Sequence, residues 1–290
     1  MTLVLSVRGK TTIWMLADRR LTVGRRVVRD DAVKLLRVEA DDGNAIVGYA
    51  GLGATLAGTQ PSDWMGRVLR GRTGTIYQLL DVLAAAGLRE LPRHIGPGAF
   101  DHAALVAALV DKVPAIYVVG TERSAIRSIY SKRYNRIQST FGQSPPFSVA
   151  GSGTAAASTL VRSGYRRLLR LIKFFEKGRV SAALVADEMA KISYEVHLKE
   201  PTVGPRSMAI WTDRHGGGGH IGYTGTSRES DGPCYPTISK GTDIGALVST
   251  AMRVRFGNPL IVTVPFPELD VERLNEELRK LPSEPDERLK

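Results

Sequence analysis

Residues 2–24 read TLVLSVRGKTTIWMLADRRLTVG and contain two short apolar runs separated by a turn. The first run covers residues 3–8 and the second covers residues 13–17. Gly9 and Lys10 lie between them, and glycine is the residue that most readily permits a tight turn. The stretch predicts a strand, a turn and a returning strand, so the chain enters a sheet within its first few residues.

The rest of the chain continues as groups of strands alternating with pairs of helices. Strands are predicted at residues 34–38, 45–49, 103–110, 115–120, 147–150, 208–211 and 221–223, and helices at about 54–70, 75–89, 154–175 and 181–198. This order favours an α+β fold in which two antiparallel sheets stack face to face with a helix pair on each outer side. It lacks the regular strand–helix alternation of a doubly wound nucleotide-binding fold.

Composition narrows the class of protein. There is no run of 18 apolar residues, and the N-terminus has no basic region ahead of its short apolar run, so we expect a cytoplasmic protein without a membrane partner. The net charge of +11 is spread over short basic pairs without a nucleic-acid-binding motif, which argues against a nucleic-acid partner. Cys234 is the single cysteine, so the chain has no cysteine-rich metal site. We expect no other metal and no cofactor.

The sequence changes character after residue 225. Residues 226–241 are polar and rich in turn formers, which is typical of a linker. A helix at about 242–256, a short strand at 260–264 and a final helix are predicted beyond it. We therefore divide the chain into a main domain, residues 1–225, and a C-terminal extension, residues 226–290. We expect the extension to pack on its own subunit or on a neighbouring one.

Thr2 directly follows the initiator methionine. A small second residue generally permits removal of Met1, which would leave Thr2 with a free α-amine. A threonine hydroxyl is a poor nucleophile, but an α-amine with a pKa near 8 can act as its general base. A nearby lysine ammonium would keep that amine neutral through like-charge repulsion, and a carboxylate would then be needed to hold the lysine.

The residues that follow Thr2 match this requirement. Asp18, in ADRR, lies 16 residues after Thr2, and Lys34, in DDAVKLLRV, lies 32 residues after it. In these positions, and in the later stretch IVGYAGLGA, the chain resembles the catalytic β-type subunits of proteasomes and their bacterial relatives. The family places a catalytic threonine, an aspartate and a lysine at these spacings. A chance match of two polar residue types at two preset positions is roughly a one-in-several-hundred event.

The resemblance implies a role for each catalytic residue. Thr2 would be the nucleophile and, through its amine, the general base, while Lys34 would tune the base and Asp18 would orient Lys34. Gly51 would donate its backbone N–H to the developing oxyanion, and Ser152 would lie beside the threonine amine. A structural reading stays open for Asp18 and Lys34 as an ordinary ion pair, and for Ser152 as a helix-start residue.

The resemblance also implies a substrate pocket and supporting residues. The pocket-lining positions are Leu21, Ala32, Leu36, Tyr49 and Gly53. They form an apolar set without an acidic residue, which predicts a preference for small or medium apolar side chains. Arg20 is a candidate supporting residue. Where the family carries an aspartate and a serine before a late strand, this chain has Glu200 and Thr202, which differ in type and in spacing.

The family implies a four-layer α-β-β-α sandwich with a C-terminal extension and a homo-oligomeric ring, hexameric or heptameric and able to stack. Peptides or unfolded proteins would be the substrates of such a threonine protease, and an ATP-dependent unfoldase is a candidate partner. Three alternatives stay open. The chain could be a noncatalytic scaffold of the same fold, an N-terminal-nucleophile amidase acting on small amides, or a nucleic-acid-binding protein whose binding would depend steeply on salt.

Overall fold

The computed structural model of the chain describes residues 3–23, 26–50, 60–95, 103–120, 133–137, 147–151, 154–230 and 235–247. These residues form a mixed α+β fold. The strands are β1 (Leu3–Arg8), β2 (Thr12–Asp18), β3 (Leu21–Val23), β4 (Arg26–Arg29), β5 (Leu35–Ala40), β6 (Gly43–Ala50), β7 (Ala103–Val110), β8 (Val113–Gly120), β9 (Arg133–Ile137), β10 (Phe147–Gly151), β11 (Arg206–Asp213), β12 (Gly218–Thr224), β13 (Ser227–Arg228), β14 (Thr237–Ser239) and β15 (Thr242–Asp243). The helices are α1 (Pro61–Leu69), α2 (Ile76–Ile95), α3 (Thr154–Glu176) and α4 (Ala182–Lys199).

Two large sheets and one small hairpin contain these strands. The first sheet has the order β10-β1-β2-β11-β12-β13, and the second has the order β15-β14-β5-β6-β7-β8-β9. Strands β3 and β4 form a separate two-stranded sheet. The pairings of both large sheets are antiparallel, except that β14 runs parallel to β5.

The strands near the N-terminus are buried on both faces. All six residues of β1 and all seven of β2 are buried. Side chains of a strand alternate between its faces, so each strand contributes to two apolar clusters. Leu5 packs in a cluster with residues of α3 and α4, whereas Val4 packs in a cluster that includes β6 and β7. This two-sided burial explains why residues 3–8 show only weak alternation of apolar and polar residues.

The cluster that contains Val4 draws residues from both large sheets, and Gly48 shows how closely the two approach. A Cβ at Gly48 would lie 2.7 Å from Met15 Sδ and 2.7 Å from Val4 Cγ1. A third cluster joins the other face of the second sheet to α1 and α2. Among the described residues, every helix is too short or too polar to cross a lipid bilayer.

Most of the predicted elements are confirmed. The strands predicted at 103–110 and 147–150 and the helices predicted at 154–175 and 181–198 agree with β7, β10, α3 and α4 to within a residue or two. Helix α1 begins at Pro61, later than the predicted residue 54, since proline suits the first helical position and not a helix interior. The β3–β4 hairpin and β9 were not predicted.

The described parts of the stretch expected to be a linker, residues 226–230 and 235–241, contain two short strands. Strand β13 extends the first sheet, and β14 extends the second by pairing with β5. Strands of two or three residues carry too little apolar pattern to be recognised in a polar sequence. Residues 244–247 are helical, within the helix predicted at 242–256, and the rest of the extension lies outside the described residues. The boundary at residue 225 stays a prediction.

Candidate active site

A buried ion pair joins the end of β2 to the residue before β5. Lys34 Nζ lies 2.9 Å from Asp18 Oδ1, and both side chains are 0% exposed. The two residues come together because β2 belongs to the first sheet and β5 to the second, and these sheets share an apolar cluster. The structure therefore brings together the aspartate and the lysine that sequence spacing singled out.

Four donors among the described residues hold Asp18, two on each carboxylate oxygen. Oδ1 accepts from the Leu3 amide at 2.7 Å and from Lys34 Nζ at 2.9 Å. Oδ2 accepts from the backbone amides of Arg20 at 3.0 Å and Gly204 at 3.1 Å. A carboxylate bonded to several fixed backbone amides has a defined orientation, so Asp18 can hold the lysine ammonium at one place.

The environment of Lys34 opposes its charge. Burial lowers the pKa of the Lys34 ammonium, and the adjacent Asp18 carboxylate acts in the opposite direction. A lysine with a lowered pKa loses its proton more readily than an exposed lysine. While it is charged, it disfavours protonation of a nearby amine through like-charge repulsion. Lys34 therefore combines a buried position, which disfavours its charge, with a carboxylate that favours it.

Two consecutive arginines hold the segment that leads to Lys34. Arg19 donates from Nη2 to the Asp31 carbonyl at 2.7 Å. Arg20 forms a two-pronged contact with Asp30, with Nε–Oδ1 at 2.6 Å and Nη2–Oδ2 at 3.0 Å. Bidentate arginine–carboxylate contacts fix geometry as well as charge. These contacts attach residues 30–31 to the residues that follow β2. Lys34 lies three residues after Asp31 in the chain.

A glutamine outside the predicted set supports the same segment. Gln60, at the start of α1, accepts a hydrogen bond from the Val33 amide through Oε1 at 2.7 Å. Its own backbone and side-chain nitrogens donate to the Asp63 carboxylate at 3.4 Å and 3.3 Å. The Asp63 carboxylate therefore fixes the orientation of Gln60, which is hydrogen-bonded to Val33, the residue before Lys34.

The loop between α4 and β11 closes over Asp18. The Pro201 carbonyl accepts from Arg20 Nη1 at 2.6 Å, and the Gly204 amide donates to Asp18. Glu200 Oε1 accepts from Thr202 Oγ1 at 2.6 Å. Glu200 and Thr202 are therefore hydrogen-bonded to each other, in a loop that contacts Asp18 through a backbone amide.

The described residues among those predicted to line a substrate pocket lie in the protein interior. Leu21, Ala32, Leu36 and Tyr49 are at most 3% exposed. Leu36 and Tyr49 share the apolar cluster of α1 and α2, where the Tyr49 ring meets the Trp64 ring edge-on at 5.7 Å. These four side chains are part of the packed interior, and their role in substrate binding stays a prediction.

Four candidate residues lie outside the described residues: Thr2, Gly51, Gly53 and Ser152. Thr2 and Ser152 are bonded to two described residues, Leu3 and Gly151. Leu3, bonded to Thr2, donates its amide to Asp18 and is paired with Gly151 across β1 and β10. Gly151 has a φ of 105°, a conformation that favours glycine.

Comparison with known proteins found no match for this chain among models of protein families or among curated protein sequences.

Sequence reasoning missed Gly204, Gln60 and the role of Arg19. Arg19 lies within the ADRR stretch, and an arginine next to a candidate catalytic aspartate is a usable signal. Gln60 precedes Pro61, which marks it as a helix-start residue but not as a partner of Val33. Nothing in the local sequence indicates that Gly204 reaches Asp18, because the contact joins residues 186 positions apart.

Gly204→Ala is expected to destabilise the site. A Cβ at residue 204 would lie 2.6 Å from Arg20 Cβ and 3.1 Å from Arg20 N, and neither atom can move without the backbone. The loop would shift and its hydrogen bond to Asp18 would lengthen, at a cost of about 1–3 kcal/mol in the free energy of unfolding. Denaturant melts would measure it.

Gly66→Ala is the matched control, because a Cβ there meets nothing within 4 Å and alanine favours the helix. Equal stability of the two variants would contradict the close approach of the 200–204 loop.

Proposed function

We propose that this chain is a threonine-type endopeptidase whose nucleophile is Thr2 after removal of Met1. The observation that carries the proposal is the Asp18–Lys34 pair, fully buried at the positions 16 and 32 residues after Thr2. The amide of Leu3 is bonded to the same carboxylate, so the pair is tied to the residue that follows the nucleophile.

Thr2 carries out the covalent chemistry, and the other site residues support it. The Thr2 hydroxyl attacks the peptide carbonyl carbon while the α-amine takes its proton, and the Gly51 N–H stabilises the oxyanion. The protonated amine then gives its proton to the leaving amine as the C–N bond breaks, which leaves an ester on Thr2. Water, deprotonated by the same amine, attacks that ester, and the freed Thr2 oxygen recovers a proton. Lys34 keeps the amine neutral between these transfers.

Burial of the pair favours catalysis over a purely structural role. A buried ion pair is weak support for stability, because apolar residues of similar volume often stabilise a fold as well or better. Four donors converge on Asp18, three of them backbone amides from separate places in the chain. Such a constellation costs desolvation and is typical of sites that need a charge at a defined position.

The proposal extends to architecture and assembly. The three apolar clusters support a four-layer α-β-β-α sandwich, with α1 and α2 on one side and α3 and α4 on the other. The pairing of Leu3 with Gly151 supports Ser152 as a neighbour of the nucleophile. We propose a cytoplasmic homo-oligomeric ring that degrades peptides or unfolded proteins, served by an ATP-dependent unfoldase. The apolar lining favours cleavage after small or medium apolar residues over cleavage after lysine or arginine.

Intact mass spectrometry tests the proposal directly. The purified protein is measured before and after treatment with an epoxyketone, a reagent that requires both the hydroxyl and the free amine of an N-terminal threonine. Loss of Met1 followed by a one-to-one adduct on Thr2 is the expected result. A chain that loses Met1 and takes no adduct, while its peptide hydrolysis is also absent, would refute the peptidase and favour the noncatalytic scaffold. An adduct with hydrolysis of short amides but not of peptides would favour the amidase.

A further inference from the structure

We infer that Glu229 is a positioning residue for Lys34, acting through Arg19 from a segment beyond the predicted catalytic domain. The inference rests on the proposed function for its catalytic consequence, and on the contacts of residues 19–32 and 206–229 for its geometry. No sequence motif assigns Glu229 a role, because it lies in the stretch that composition marks as a linker.

Glu229 forms ion pairs with two arginines at the edge of the first sheet. Its Oε2 lies 3.2 Å from Arg19 Nη1, and its Oε1 accepts from Arg206 Nε at 2.9 Å and from Thr224 Oγ1 at 2.8 Å. Its backbone amide donates to the Gly222 carbonyl at 2.8 Å. The Glu229 side chain is 12% exposed and the Arg19 side chain 8%, so the contact between these two residues forms largely away from solvent.

Arg19 connects this cluster to the segment before Lys34. Its side chain is 8% exposed and donates from Nη2 to the Asp31 carbonyl at 2.7 Å and from Nε to the Ala32 carbonyl at 3.4 Å. The backbone of Arg19 accepts from the Ala32 amide at 3.0 Å. Arg19 therefore holds residues 31 and 32 through hydrogen bonds of both its side chain and its backbone. Lys34 lies two residues after Ala32 in the chain.

The charge of Glu229 is what allows Arg19 to stay there. Burial lowers the pKa of Arg19, Glu229 raises it, and the neighbouring Arg206 lowers it. Without the carboxylate, Arg19 in its largely buried position would lie near the Arg206 guanidinium, with Asp31 as the remaining acidic side chain that raises its pKa. Arg19 would then turn toward water and release the carbonyls of residues 31 and 32.

A second ion pair holds the same segment but reaches a different element. Arg228 contacts the Asp187 carboxylate on α4, with Nη2–Oδ2 at 2.6 Å and Nε–Oδ1 at 2.8 Å. Asp187 also accepts from Tyr223 Oη at 3.0 Å. Arg228→Gln is therefore a matched control, because it removes an adjacent charge contact of β13 without touching Arg19.

The test compares Glu229→Gln with Arg228→Gln in the full-length chain. With a fluorogenic peptide amide carrying leucine before the cleaved bond, we expect kcat to fall about tenfold in Glu229→Gln with KM changed less than about twofold, because small displacements of a catalytic group mainly affect the chemical step. Arg228→Gln is expected to keep kcat within about twofold. Hydrogen exchange over residues 30–34 is expected to accelerate in Glu229→Gln alone.

Three outcomes would overturn the inference. One is an unchanged kcat in Glu229→Gln, and another is an equal loss in both variants that follows their loss of melting temperature. The third is unchanged exchange over residues 30–34, which decides the positioning role without reference to activity. A wild-type chain that neither hydrolyses peptide nor takes the epoxyketone would instead refute the peptidase, and the exchange comparison would still test Glu229.

Discussion

Thr2→Ala is expected to reduce peptide hydrolysis by at least about 10⁴-fold, since loss of the nucleophile removes the covalent step on which the mechanism depends. Alanine is also small enough to permit Met1 removal, so the variant keeps the free α-amine and loses the hydroxyl. Steady-state hydrolysis and intact mass after epoxyketone treatment would be measured on the same preparation. The adduct is expected to be absent.

Thr2→Ser provides the matched control for the nucleophile. Serine keeps both the hydroxyl and the amine, so hydrolysis is expected to remain measurable and the adduct to form. A Thr2→Ala variant that retained a tenth or more of the wild-type rate would contradict the nucleophile assignment. Equal inactivity of Thr2→Ser and Thr2→Ala would show that the γ-methyl group, and not only the hydroxyl, is needed.

Asp18→Asn is expected to remove activity and to destabilise the fold. The substitution leaves the Lys34 ammonium buried without its carboxylate, and an uncompensated buried charge costs about 3–5 kcal/mol. For a domain of this size that loss lowers the melting temperature by roughly 10 °C. The lysine would also lose its fixed position, so we expect hydrolysis to fall by at least about 10³-fold.

The double variant Asp18→Asn with Lys34→Met separates stability from catalysis. Methionine fills much of the lysine volume without a charge, so the double variant is expected to recover at least half of the lost melting temperature. Hydrolysis is expected to stay at background, because neither partner is restored. If the double variant regained activity along with stability, the pair would be structural and Lys34 would have no part in tuning the base.

Local patterns predicted the main elements because each carries its own signal. The apolar runs of β1 and β2, the turn at Gly9 and the helical stripes of α3 and α4 are readable within a window of a dozen residues. The Asp18 and Lys34 assignment came from spacing relative to Thr2, and the structure places the two side chains in contact. Thr2, Gly51, Gly53 and Ser152 stay predictions.

Tertiary contacts account for what the patterns missed. Strands β13 and β14 are two and three residues long, and they exist because the edges of the two sheets offer unpaired backbone groups. Gly204 and Glu229 reach the Asp18 region from positions 186 and 210 residues away from their partners. No local propensity encodes such contacts, since they depend on which chain segments the packed sheets bring together.

The sequence by itself determined the order of the main strands and helices, the apolar faces that drive their packing and the distances along the chain from Thr2 to Asp18 and Lys34. Only the tertiary structure decided that this aspartate and lysine are fully buried and that four donors converge on the carboxylate. The physical reason is desolvation. A charged pair is expensive to bury, and whether its hydrogen bonds are completed depends on backbone amides supplied by distant segments, which become neighbours only when the sheets pack.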